Sequence, residues 1–305
     1  MSNLNWLVGL SLTAVLLPAA QAEPHCPGNV DSLPMRLIQH SQIVVQVTIN
    51  HTGPYDFMVD TGAQVTTVDP ALAAELHLET RGTAGVVGVG VYARASLTQL
   101  DSVEAGSHVV EKVLAVIQDL GQTQLADRRV RGVLAGNFLE HFDLLIDYPR
   151  SIVCLDDSMQ MRSKVKGEHI PLLPTERSRQ DRPAPQKLIV SVRLSGIGKR
   201  ELHLLLDSGM NAPLLYAAAA DLKYLQIASV PLRSRGTDGK EYAFTVLPAQ
   251  EVQVGSHTLH QLPFVTPMNA SAKVPGVGAD GLLPTSLFQR VFVNYADGYV
   301  VLESW

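Results

Sequence analysis

Two short runs hold the residues best placed to do chemistry: Phe57-Met58-Val59-Asp60-Thr61-Gly62-Ala63 and Leu204-Leu205-Leu206-Asp207-Ser208-Gly209-Met210. In each, an apolar strand-forming stretch ends in an aspartate, a hydroxyl residue and a glycine. A carboxylate at the end of a water-excluding strand is costly unless something pairs with it. Two of them, one in each half of the chain, can meet that cost by sharing a single proton. Such a pair holds a base that takes a proton from water and an acid that gives one to a carbonyl oxygen, which is what hydrolysis without a metal or a covalent nucleophile requires. Thr61 and Ser208 place a small hydroxyl behind each carboxyl. Gly62 and Gly209 allow close backbone approach and donate N–H groups to the carboxylates. Asp60 alone also fits an ordinary Asp-x-Gly turn at a strand end; it is the second run, in register with the first, that argues for chemistry.

The elements that must position these runs occur twice. Residues 43–49 are β-branched and strand-like, a turn follows at His51-Thr52-Gly53-Pro54, and residues 55–59 run into Asp60. Asp69-Pro70 reads as the cap and first residue of a short helix ending at Leu76. A glycine-punctuated stretch over 81–95 precedes strands at 97–103 and 109–117. The run Gly132-Val133-Leu134-Ala135-Gly136-Asn137 and closing strands at 142–147 and 152–155 complete the half. Residues 156–187, with many charges and Pro171, Pro174, Pro183 and Pro185, read as an exposed connector. The plan then repeats: Val190, Val192 and Leu194 stand 147 positions after Ile43, Val45 and Val47, and Asp207 stands 147 after Asp60. Gly255-Ser256-His257 echoes Gly106-Ser107-His108, Arg235-Gly236-Thr237 echoes Arg81-Gly82-Thr83, and Val293-Asn294-Tyr295 echoes Ile146-Asp147-Tyr148. Ordered matches at nearly constant offset predict two halves of one fold.

These motifs resemble the aspartic peptidases: pepsin-like in carrying two lobes on one chain, retropepsin-like in lobe size and motif wording. The resemblance implies an all-β fold of two homologous β-barrel-like lobes about a pseudo-two-fold axis, with few short helices. Together with a signal peptide (1–22) read from the N-terminal residues, it divides the chain into an N-terminal lobe (23–155), a linker (156–186) and a C-terminal lobe (187–305). It also implies catalysis by Asp60 and Asp207, with Thr61 and Ser208 locking the two loops together. The 81–95 stretch becomes a mobile hairpin over the substrate, with Gly85, Gly88, Gly90 and Tyr92 as flap residues. In this family an apolar-apolar-glycine segment passes beneath each catalytic loop. Val133-Leu134-Ala135-Gly136 follows that order, and Gly281-Leu282-Leu283-Pro284 departs from it, with proline where glycine is expected. Met210, where a small residue normally stands, is a second departure. Family members favouring strong acid carry Ser or Thr after the glycine; Ala63 and Met210 bring no hydroxyl there, so an optimum in mild acid is expected. The expected activity is that of an exported endopeptidase; the alternative is a peptide-binding scaffold that kept the fold and lost turnover.

The remaining features bound the answer. The chain of 305 residues is 46% hydrophobic and 17% charged, with a formal net charge of −5, which gives no electrostatic reason to expect nucleic acid. Residues 6–20 are apolar, too short to span a bilayer, and followed by Ala20-Gln21-Ala22, so they read as a cleaved secretory signal and a periplasmic or secreted protein; no later run could span a membrane. Export leaves two cysteines, Cys26 and Cys154. A disulfide between them, or a buried Cys154 with a free Cys26, are both open readings. No cofactor or metal is expected, the partner is a peptide or protein substrate, and the chain is taken as a monomer, with homodimerisation through strand edges as the alternative. The Gly88-x-Gly90 run lacks the strand-and-helix context of a dinucleotide site. His257 and His260 would face opposite ways on a strand, and Ser208 lacks a nucleophile elbow.

Overall fold

A computed structural model describes residues 25–88, 91–174, 185–195, 201–216, 230–235, 241–267 and 278–305. The expected signal peptide, Gly90, and the Gly236, Thr237 and Gly239 part of the second hairpin lie outside these residues. The fold is all-β, with three sheets and short helices.

Each half builds its own sheet around the same crossing. In the first half, Gln42–Ile49 pairs antiparallel with Thr52–Val59, which lies parallel to Val130–Leu134. Thr66–Val68 then crosses back, antiparallel to Val130–Leu134 and parallel to His108–Ile117. The second half repeats this with Ile189–Leu194, Glu201–Asp207, Gly281–Pro284, Leu214–Leu215 and Val265–Pro267. The crossing explains a matched pair of glycines. A Cβ at Gly132 would meet the Phe57 ring and the Thr67 carbonyl, and one at Gly281 would meet the Leu214 carbonyl, so no larger residue lets the strands pass. The alternation of the strand runs buries Ile43, Val45, Val47 and Ile49 on one face, with Phe57, Leu134 and Phe138 completing a core continuous with that of the second half.

The third sheet belongs to both halves. Its order is Ser32–Pro34, Ile152–Asp156, Asp143–Asp147, Phe288–Asn294, Tyr299–Ser304, Ile170–Pro171. At its centre Leu145 pairs with Phe292, two residues 147 positions apart. A residue that pairs with its own repeat marks the pseudo-two-fold axis, and Asp60 and Asp207 are separated by the same interval. The segment read as an exposed connector is partly built in: Met161 is buried in a short 3-10 turn and Ile170 in the shared sheet. Leu172 is buried beside Ile170, and the polar composition hides these anchors because so few apolar residues give no periodicity to detect.

Asp69 caps the helix Pro70–Glu75 by accepting from Leu72 N at 2.7 Å. Its other oxygen takes a bond from Arg131 Nε at 2.7 Å, pinning the helix to the central strand. Cys26 and Cys154 form a disulfide between two buried residues, closing 128 positions of chain against the shared sheet. Replacing both cysteines by serine is expected to lower unfolding stability by about 2–4 kcal/mol. Urea midpoints that match wild type would show that the bond carries no stability.

Candidate active site

Asp60 and Asp207 come together where the lobes meet, each at the end of a buried strand. The strand Thr52–Val59 leads into Asp60, whose backbone N donates to Leu134 O at 3.0 Å. Asp207 ends the strand Glu201–Asp207, opposite Pro284 in register. The two carboxyls hydrogen-bond to each other.

The hydroxyls behind them form a reciprocal four-bond latch. Thr61 Oγ1 donates to Leu206 O at 2.9 Å and accepts from Ser208 N at 3.0 Å. Ser208 Oγ donates to Val59 O at 2.8 Å and accepts from Thr61 N at 3.1 Å. Thr61 and Ser208 are 5% and 1% exposed, so each bond forms away from competing water. The glycines do two things. Gly62 N and Ala63 N donate to Asp60 Oδ1 at 2.9 and 3.0 Å, and Gly209 N donates to Asp207 Oδ1 at 2.8 Å, with Met210 N also directed at that carboxyl. Each glycine also lies against the opposite aspartate: a Cβ at Gly209 would stand 2.6 Å from Asp60 Cγ, and one at Gly62 would meet the Asp207 carboxyl.

Burial pushes both carboxyls above the usual carboxylate range. Asp207 is driven well up, first by desolvation and then by the charge of Asp60. Asp60 is raised by desolvation and partly brought back by the bonds it accepts from Asp207, Ala63 and Gly62. Burial and mutual repulsion oppose ionisation of both carboxyls together, so the pair is built to hold a single proton between them. Tyr148 and Tyr216, both buried, stand close enough to Asp207 for its charge to raise their phenols beyond what burial does.

The other expected residues are placed as follows. Thr83–Gly88 and Val91–Ala105 form a hairpin that includes Gly85, Gly88 and the backbone of Tyr92. Val230–Arg235 and Glu241–Val246 form its counterpart in the second lobe. His257 Nδ1 bonds Ser304 Oγ and His260 Nδ1 bonds Glu251 Oε1, so the two histidines serve separate partners. One alignment is corrected. Met58 pairs with Val133 and Val59 with Leu134, while Leu205 pairs with Leu282 and Leu206 with Leu283. Pro284 therefore takes the place of Ala135, and Thr285 the place of Gly136. The glycines that match between the lobes are Gly132 and Gly281, at the crossing itself. Nothing in the sequence marks Gln42, whose Nε2 donates to Gly209 O at 2.6 Å from the opposite lobe. A polar residue at the start of a strand carries no sign of a partner 167 positions away.

Residues 45–138 match the aspartyl protease family. Among solved structures, the aspartic proteinase from Irpex lacteus is similar over 90% of this chain and 97% of its own, at 13% identity and a TM-score of 0.50, a likeness of fold. A retropepsin-like aspartic protease from Rickettsia conorii is 20% identical over 41% of this chain and 90% of its own, with a TM-score of 0.30. No curated protein matches the chain by sequence.

Proposed function

We propose that this chain is an aspartic endopeptidase whose Asp60 and Asp207 activate a water between them, a reading supported by the family match over residues 45–138 and by the two-lobed fold. The observation that carries this reading is the pair of mutually hydrogen-bonded carboxyls at the lobe junction, one in each copy of the repeat. Asp60, ionised, takes a proton from the water as its oxygen attacks the scissile carbonyl carbon. Asp207 gives its proton to the carbonyl oxygen, and a tetrahedral diol forms. Collapse of the diol breaks the C–N bond, the amine leaves with the proton from Asp60, and Asp207 recovers one from the diol. The rigid latch keeps the carboxyls aligned without reorganisation at the moment of reaction. Substrate lies extended between the lobes, its backbone adding a strand to the hairpin of the first lobe. The protein works in an exported, oxidising setting, a reading supported by the apolar N-terminal run and by the Cys26–Cys154 bond.

The test is incubation of mature protein with a denatured proteome or peptide library from about pH 3 to 7, the range over which a raised carboxyl pair changes protonation. Cleavage lost in Asp60→Asn and Asp207→Asn supports the proposal; peptide binding without cleavage, untouched by either change, points instead to a scaffold.

The pH dependence follows from the site. Activity needs Asp60 ionised, and its carboxyl is raised, so activity falls in strong acid and is greatest in mild acid. Ala63→Ser adds a hydroxyl beside the Asp60 oxygen that already accepts from residue 63. That added donor lowers the Asp60 carboxyl, and the acid limb of the kcat profile moves to lower pH. A wild-type optimum near about pH 2, or an unmoved acid limb in Ala63→Ser, would count against this assignment.

A further inference from the structure

The two aspartate loops are supported in different ways. The Asp60 loop leans on its own lobe: Gly136 N donates to Ala63 O at 2.9 Å and Asn137 N to Gln64 O at 3.2 Å. Asn137 Oδ1 also accepts from Thr66 N and Oγ1, at 2.9 and 2.8 Å. The fit is close, since a Cβ at Gly136 would stand 3.2 Å from the Ala63 carbonyl. In the second lobe, Pro284 and Thr285 occupy the corresponding places, and the Thr285 hydroxyl is engaged with Tyr148 Oη at 2.7 Å. Among the described residues, no backbone N–H of Thr285–Leu287 reaches the Met210 or Asn211 carbonyl.

The Asp207 loop is held from across the lobe junction instead. Gln42 Nε2 donates to Gly209 O at 2.6 Å, and Asn211 Nδ2 donates to Gln39 Oε1 at 2.6 Å. Gln42 opens the strand Gln42–Ile49, and because Ile43 pairs with Val59, its backbone lies beside Asp60 while its side chain reaches the loop of the other aspartate. The turn just before it holds Gln39 and His40 at φ of 51° and 63°, a left-handed conformation that side-chain-bearing residues keep only where their surroundings hold it. Arg36 anchors the base of the same hairpin, bonding Asp56 at 2.7 Å and Asp127 at 2.5 Å.

The Gly209 carbonyl and the Met210 N–H belong to one planar peptide unit and point opposite ways. A donor that fixes the carbonyl therefore aims the N–H, and the Met210 N–H is directed at the Asp207 carboxyl. We infer that Gln42 is a positioning residue for Asp207: it replaces, from the opposite lobe, the support that Pro284 and Thr285 do not give, and it orients the Gly209–Met210 peptide toward the Asp207 carboxyl. This rests on the peptidase reading for its effect on rate, though not for its effect on the loop.

The experiment compares wild type, Gln42→Leu and Gln42→Glu, following cleavage of a peptide substrate across pH and amide exchange at Met210 and Ala63. In Gln42→Leu, kcat falls on the order of tenfold, the equivalent of one lost hydrogen bond, while KM stays near wild type. The alkaline limb moves up, because Asp207 loses a bond that favours its ionised form. Met210 exchanges faster and Ala63 does not. Gln42→Glu keeps near wild-type kcat at low pH, where its protonated carboxyl donates to Gly209 O, and loses it as that carboxyl ionises. Wild-type kcat, pH profile and Met210 exchange in both variants would overturn the inference, as would a fall in kcat with equal loosening of Ala63 and Met210. If wild type cleaves nothing, the peptidase reading fails by itself, and Met210 exchange alone decides the role of Gln42.

Discussion

Asp60→Asn and Asp207→Asn each reduce peptide hydrolysis by roughly 10³-fold or more, because each removes one half of a proton exchange that the other half cannot perform alone. An asparagine in place of Asp60 leaves no base for the water. One in place of Asp207 leaves a neutral amide that cannot pass a proton to the carbonyl oxygen. The two variants part company in stability. The folded-state carboxyl of Asp207 is raised well above its ordinary value by burial and by Asp60, so its favourable contribution is present at low pH and is lost as pH rises through that raised value. The amide introduced by Asp207→Asn does not ionise and can still accept from Gly209 N. Asp207→Asn is therefore more stable than wild type near neutral pH and loses that advantage toward about pH 3, below the ordinary aspartate value. Thermal melts at both pH values, beside the activity assay, check the pair of expectations. An inactive Asp207→Asn protein that is also less stable at neutral pH would mean that the carboxyl is needed for folding rather than held at a cost.

The second large effect comes from a residue with no reactive group. Gly209→Ala reduces activity by at least about 10²-fold, the scale of a misplacement of around 1 Å at a reacting centre. The added methyl would stand 2.6 Å from Asp60 Cγ and Oδ2, so either the Asp60 carboxyl turns away or the two loops move apart. Neither Gly62 nor Gly209 has a left-handed φ, so alanine meets no backbone strain there and the whole effect lies in the space between the carboxyls. Stability changes by only about 1 kcal/mol, since the atom displaced is the end of a side chain. Gly62→Ala makes the mirror-image change against Asp207. Gly209→Ala with wild-type kcat would mean that the carboxyls stand farther apart in the working protein than this geometry places them.

How much of this is legible in the residues depends on whether a feature repeats. Asp60-Thr61-Gly62 and Asp207-Ser208-Gly209 stand at one offset, and an offset shared by strands and closing runs, and nearly kept by the hairpins, is visible without coordinates. The same offset separates Leu145 from Phe292, yet nothing in either residue announces that the two pair across the axis. A shared sheet needs both halves folded before it exists, and its strands look locally like any others. The connector is harder still, because Met161, Ile170 and Leu172 are a few buried anchors in a stretch rich in charge and proline. The misplaced proline has a plain cause: similar words align by their last residue, whereas the strands align by the crossing that forces Gly132 and Gly281 to be small. Gln42, Tyr148 and Tyr216 escape a sequence search because each comes near the Asp207 loop only through long-range contacts in the folded chain, and a search for a two-fold pattern finds what is symmetric. The cysteines lie between these cases, since composition allows the bond and only geometry can make it.

One proton shared by two carboxyls at the lobe junction underlies the proposed chemistry. It is tested most directly by titrating the protein with 13C-labelled aspartate side chains and following the Asp60 and Asp207 carboxyl signals by NMR from about pH 2 to 9, a span that brackets ordinary and strongly raised carboxyls. The two asparagine variants assign the signals. The expected result is two linked steps that belong to the pair, the second far above the ordinary aspartate range, with a broad interval between them in which a single proton is held. Two independent titrations near the ordinary aspartate value would contradict it.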